Sequence, residues 1–212
     1  MIRPLQITSA QVEPALLDLP WATPLEEWPS DVIAALPRGI SRHIVRFAHL
    51  DGQVVAVKEI GETVAHHEYE TLRDLNRLDA PCVEPLAVIT GRFDDSGEPL
   101  NAALVTRHLD FSLPYRSLFG QAAMRIDTVR RLIDALAVLI VRLHLLGFFW
   151  GDVSLSNTLF RRDAGEFSAY LVDAETGELE DNMSERKRHY DIDVARTNII
   201  GELMDLQAGG IL

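Results

Sequence analysis

The chain has 212 residues, 47% hydrophobic and 25% charged, which suits one sizeable core or two small ones and lies outside the range of disordered chains. Its 32 acidic and 20 basic residues give a net charge of -12, which argues against nucleic acid or an anionic membrane surface as the main partner and requires that any phosphate ligand meet locally placed cations. The single cysteine, Cys82, excludes an internal disulfide and a CxxC zinc site, and no apolar run, Ala135 to Val141 included, approaches the about 20 residues needed to span a bilayer. The N-terminus "MIRPLQITSAQVEP" lacks the apolar core of a secretory signal, so the expected location is the cytoplasm.

Residues 1–37, rich in Pro, Trp and acid, are expected to form an arm with a short helix capped by Ser30 or Asp31. In "HIVRFAHLDGQVVAVKEI" two β-branched runs flank Asp51-Gly52, which predicts a tight hairpin of strands 43–49 and 53–60. Val64, Tyr69, Leu72, Leu75 and Leu78 recur at helical spacing and predict an amphipathic helix ending before Pro81. "EPLAVITGRF" and "NAALVTRHL" predict two strands around the turn "DDSGEP". A helix over about 125–146 follows, its apolar face carrying Val129, Leu132, Ile133, Leu136, Leu139, Ile140 and Leu143, and it stops at Gly147. "NTLFRR" and "FSAYLVDAE" then predict a strand pair, and a last helix is expected over about 191–206.

Between the long helix and that strand pair, "HLLGFFWGDVSLSNTLF" sets Asp152 and Asn157 five positions apart in an otherwise apolar or small run. A buried carboxylate without a partner costs several kcal/mol, so the stretch is either a surface loop or a loop whose charge has a task. His66, His67, His108, His144 and His189 have no metal-ligand spacing and are assigned no role.

Taken in order, a strand ending "VVAVK" at Lys58, a helix with Glu68, two strands, a long helix, Asp152 with Asn157, and a strand ending in Asp173 resemble the protein-kinase-like superfamily. The similarity is to its small divergent branch of lipopolysaccharide (Kdo and heptose) kinases and InaA-type bacterial proteins, over roughly residues 38–206. It implies an α+β, two-lobed fold with a mostly antiparallel N-lobe sheet and a reduced helical C-lobe, divided as arm 1–37, N-lobe 38–110 and C-lobe 111–212. The substrate-binding half is expected to be either small or beyond residue 212, the ending "QAGGIL" resembling a cut edge more than a natural terminus.

The resemblance also implies a phosphotransferase using ATP and Mg2+ on a small-molecule, sugar or lipid-linked sugar hydroxyl. In it Lys58 contacts the α- and β-phosphates and pairs with Glu68, Asn157 and Asp173 hold magnesium, and Asp152 orients the acceptor and takes its proton. Thr106 and His108 fall in the hinge that faces an adenine. The usual Gly-rich lid is replaced by "PRGISRH" with the one glycine Gly39, leaving backbone N–H groups of Ile40 and Ser41, or Arg42, to meet phosphate. Ser154 stands where a lysine is usual, Glu175 is a candidate third carboxylate, and Asp191 or Asp193 fills the place of the aspartate that holds the catalytic loop or else caps its helix. Each site residue has a plainer alternative: an edge-strand lysine, a surface glutamate, a turn aspartate, a loop cap. The competing functional reading is a pseudokinase-like module that holds a nucleotide or partner without transfer.

Overall fold

The computed structural model describes residues 4–37, 41–120 and 126–211. The chain forms two compact units, one made of the residues up to Arg73 with Val83–His108, the other of Asp74–Cys82 with the chain from Leu109 onward.

The first unit is built on five strands: β1 (Gln6–Ser9), β2 (Ile44–Leu50), β3 (Gln53–Ile60), β4 (Pro85–Thr90) and β5 (Ala102–Arg107). They lie in the order β1-β4-β5-β3-β2 with every neighbouring pair antiparallel. The predicted β2–β3 hairpin forms because Asp51 and Gly52 both take positive φ, 44° and 77°, as a two-residue turn of the sheet's own twist requires. Pairing Val57 with Val105 and Ile89 with Ala103 puts the β-branched residues of three strands on one face. That face is covered by the N-terminal arm: Leu16, Leu19, Trp21, Leu25 and Trp28 share one buried cluster with Val55, Val57, Ile89 and Val105.

The arm departs from expectation. It holds two 3-10 turns, Pro14–Asp18 and Leu25–Glu27, and no helix begins at Ser30 or Asp31. Its backbone is drawn instead to the edge of β2, where Ala34 N donates to Phe47 O and His49 N to Val32 O. A strand edge satisfies those groups with partners that a lone helical turn lacks. The arm is also stitched down by Arg92, 2% exposed, whose guanidinium donates to Glu59 Oε1 at 2.6 Å and to the carbonyls of Trp21, Thr23 and Asn101 at 2.9–3.1 Å.

Helix α1 (Glu62–Arg77) forms where the spacing predicts and buries Ala65, Glu68, Tyr69, Leu72 and Leu75. The second unit contains β6 (Ser112–Pro114), α2 (Tyr115–Gly120), α3 (Ile126–Leu145), β7 (Phe148–Phe149), β8 (Thr158–Asp163), β9 (Glu166–Leu171), β10 (Glu178–Leu179) and α4 (Glu185–Ala208). The small sheet runs β6-β8-β9, β7 pairs with β10, and α3 packs on β9 and β7 and buries Leu132, Leu136, Leu139 and Leu143. Helix α4 begins before the expected residue 191, because Ser184 caps it by accepting from Lys187 N at 3.3 Å.

Replacing Arg92 with Ala leaves the Glu59 carboxylate buried without its cation, and the expected loss is about 3–5 kcal/mol of unfolding free energy in urea. A loss below about 1 kcal/mol would contradict this clamp. Burial also pushes the Cys82 thiol up to about 12. The thiolate is the nucleophile, so the folded protein should resist iodoacetamide at about pH 8 and label rapidly once unfolded. Rapid labelling of the folded chain would overturn that.

Candidate active site

Strand β3 is central, paired on both sides, and alternates its side chains between the faces of the sheet. Val55 and Val57 turn to the arm, which leaves Ala56 and Lys58 on the opposite face. The register adds Val45 and Phe47 from β2, and Leu104 and Thr106 from β5, to that same face. Glu68 lies in the inward stripe of α1 and is 0% exposed, where a lone carboxylate would be costly. Lys58 Nζ donates to Glu68 Oε2 at 2.9 Å, with the lysine side chain 11% exposed. Glu70 is exposed, so α1 separates the two glutamates by face.

The other expected residues of this unit are placed less tellingly. Thr106 pairs with Ala56 and with Pro85, and the ring of His108 meets Phe47 edge-on at 5.2 Å. The N–H groups of Arg107 and His108 donate to Glu84 O and Val54 O, so they serve the sheet rather than a ligand. Ser41 and Arg42 are exposed, and Ser41 Oγ accepts from His43 N at 3.1 Å. Gly39 and Ile40 lie outside the described residues.

In the second unit the quoted run covers the end of α3, β7, a loop over 150–157 and the start of β8. Gly151 has φ 77°, and a Cβ there would stand 3.3 Å from both Thr176 O and the Phe149 ring, so glycine is what lets the chain turn before Asp152. The loop is ordered by side chains. Asn157 Nδ2 donates to Asp152 O at 3.0 Å and Asp152 Oδ2 at 3.1 Å, which turns the amide oxygen away from Asp152. The β8–β9 hairpin brings Asn157 and Asp173 to one end: Thr158 pairs with Leu171, and Val172 N donates to Asn157 O at 3.2 Å. Asp173 Oδ1 accepts from Glu175 N at 3.0 Å, and one carboxylate oxygen of each of these two acids lies within 4.8 Å of the other. Asp173 O accepts from the Trp150 indole at 3.1 Å, and Thr176 Oγ1 donates to Trp150 O at 2.8 Å.

Helix α4 supplies the remaining supports, and reading the sequence missed most of them. Asp191, 0% exposed, accepts from Trp150 N at 3.0 Å, Gly151 N at 2.8 Å and His144 Nε2 at 2.9 Å. It lies inside α4, so it is no helix cap, while Asp193 is exposed. His144, given no role from spacing, is therefore the imidazole partner of this carboxylate. Asn198 Nδ2 donates to Asp152 Oδ1 at 3.2 Å and Val153 O at 3.0 Å. Glu202 accepts from Leu155 N at 2.9 Å, Ser156 N at 2.7 Å and Ser156 Oγ at 2.5 Å. The available signal was spacing: Asp191, Ala195, Asn198, Glu202 and Leu206 form one helical stripe.

Residues 44–198 match the family model of the lipopolysaccharide kinase (Kdo/WaaP) family. The chain belongs to that family. The Kdo/WaaP proteins are lipopolysaccharide kinases, phosphotransferases acting on a sugar hydroxyl. Among solved structures the chain is similar to one described as WaaP in complex with acyl carrier protein, at TM-score 0.58 and 17% identity over 91% of this chain and 80% of that one. No curated protein matches in sequence. The fold of this Kdo/WaaP family member is α+β and protein-kinase-like, with an antiparallel sheet in the first unit and few helices in the second. Among the described residues no helix is long and apolar enough to cross a membrane.

Asp191→Asn tests the loop support. The amide keeps the shape but turns one accepting oxygen into a donor that faces another buried N–H, at an expected cost of about 1–3 kcal/mol and more because the lost group is charged. Unchanged unfolding in urea would remove Asp191 from the support of the loop.

Proposed function

We propose that this chain transfers the γ-phosphoryl group of ATP, with magnesium, to a hydroxyl of a sugar or lipid-linked sugar, with residues 38–110 holding the nucleotide and 111–212 carrying the acceptor side. The observation that carries the reading is the Lys58–Glu68 pair. A buried carboxylate holds an ammonium on a central strand, at 2.9 Å. In a chain of net charge -12, a cation so held gives a polyphosphate a local anchor.

The donor set suits a hard cation. Asn157 turns its amide oxygen away from Asp152, and Asp173 stands at the same end of the β8–β9 hairpin with a Glu175 carboxylate oxygen within 4.8 Å. Asn157 and Asp173 would hold magnesium there, with the Glu175 carboxylate as a third ligand. The chemistry such an ion supplies when bound is neutralisation of charge on the phosphoryl oxygens. Asp152, with an amide on each carboxylate oxygen, orients the acceptor hydroxyl and takes its proton. Thr106 and His108 lie on the Lys58 face of the sheet beside the nucleotide, and Ser41 or Arg42 meets its phosphates. ATP supply sets the working location in the cytoplasm. The similar WaaP structure is described as a complex with acyl carrier protein, a protein partner of that protein.

The alternative, a nucleotide-holding module without transfer, draws on the single glycine in "PRGISRH". One experiment separates the two. Transfer of labelled phosphate from ATP to deacylated lipopolysaccharide oligosaccharide is expected to require magnesium and to fall about 10²- to 10⁴-fold in Asp152→Ala. The ATP-induced rise in melting temperature should survive in that variant and vanish with EDTA or Asp173→Asn. A magnesium-dependent melting shift with no transfer by the unmodified chain would favour the module.

A further inference from the structure

We propose that Asn198 is a positioning residue for Asp152, the residue that fixes the direction of the acceptor-facing carboxylate. This rests on the phosphotransfer reading and adds a residue that neither motif spacing nor the family match assigns. A free carboxylate turns easily about its last torsion, because an sp³–sp² bond has broad, roughly two-fold minima. Asp152 is held at both oxygens. Oδ2 accepts from Asn157 Nδ2 at 3.1 Å and Oδ1 from Asn198 Nδ2 at 3.2 Å. Each amide nitrogen spends its second hydrogen on a loop carbonyl, Asp152 O at 3.0 Å for Asn157 and Val153 O at 3.0 Å for Asn198. Both donors are thereby fixed in direction, and the carboxylate plane follows from theirs.

The two donors differ in origin. Asn157 belongs to the loop and would move with it. Asn198 projects from α4, an element anchored to the same loop on either side of Asp152: Asp191 holds the N–H groups of Trp150 and Gly151, and Glu202 those of Leu155 and Ser156. Of these three helix residues only Asn198 touches the carboxylate itself. Ser154, which stands where related kinases carry a cation, is buried and its Oγ accepts from Asn157 N at 3.1 Å, so it serves the loop backbone. The second donor on Asp152 comes from the helix, and it is a neutral amide that orients without adding a full positive charge. A carboxylate set by a rigid helix keeps its geometry through turnover, where a shift of about 1 Å can cost about 100-fold.

The test uses the full chain, labelled ATP with magnesium, and deacylated lipopolysaccharide oligosaccharide as acceptor. Asn198→Ala and Asn198→Leu, the latter filling the space without a donor, are expected to lower kcat about 10- to 100-fold with KM for ATP within about two-fold. In an Asp152→Ala background, Asn198→Ala should cost nothing further, because its effect passes through that carboxylate. An equal fold-loss in both backgrounds, or a rise in KM for ATP with kcat unchanged, overturns the proposal while leaving phosphotransfer intact. Failure of both Asn198 variants to fold, read by circular dichroism, also overturns it by making Asn198 a stability residue. Absence of transfer and of ATP hydrolysis in the unmodified chain removes the phosphotransfer reading, and this proposal with it.

Discussion

The Asp191 carboxylate is the contact from which the geometry of the second unit follows. It is 0% exposed, and a charge so buried is tolerable only where donors replace the lost water. Three do so, from two different segments: the N–H groups of Trp150 and Gly151, and the imidazole of His144 at the end of α3. Arg188, a turn earlier on α4, donates to His144 O at 2.9 Å and ties the same two helices again. With its start pinned in this way, the loop has few ways to run. Trp150 then carries the constraint onward, since its indole donates to Asp173 O and its carbonyl accepts from Thr176. One carboxylate thus sets the relation of a helix end, a loop and the turn that bears Asp173.

Two kinds of contact divide the labour in this unit. Helix α3 packs on β9 and buries a row of leucines, which supply burial in proportion to area but little direction. Helix α4 faces the loop with a carboxylate, an amide and another carboxylate, and hydrogen bonds are directional. The first contact gives the unit its core; the second gives the loop a single shape. The first unit repeats the rule with Lys58 and Glu68, and again with Arg92 and Glu59. Among the described residues, Glu59, Glu68, Arg92 and Asp191 each go under the surface with a partner in place.

Most elements could be read from the sequence because they obey local rules. The β2–β3 hairpin announces itself in Asp51-Gly52, and α1 and α3 in their apolar spacing. The inward place of Glu68 was readable as well, since it shares a stripe with Ala65 and Leu72. What could not be read depended on distant partners. Nothing local marks Gln6–Ser9 as a strand until β4 is beside it, and the 30–34 segment has no reason to abandon a helix except the edge of β2. Helix α4 hid its role for a different reason. Its inward residues Asp191, Asn198 and Glu202 are polar, so a search for an apolar stripe passes over the face that matters. His144 was silent in the same way, its meaning being a carboxylate 47 residues away.

The family match begins at residue 44, the first residue of β2, yet the sheet begins with β1 at Gln6 and its cover with Leu16. Trp21 and Trp28 meet edge to face at 5.3 Å over the valines of β3 and β5. The unit inherited as recognisable sequence is therefore smaller than the unit that folds. An excised fragment trimmed to the shared motif would present a bare row of valines, alanines and isoleucine to water, with β4 as an open edge beside it. Such a surface recruits whatever apolar chain is nearest, including its own copies. The segment that the family match leaves out is thus what shields the apolar face of the segment it includes.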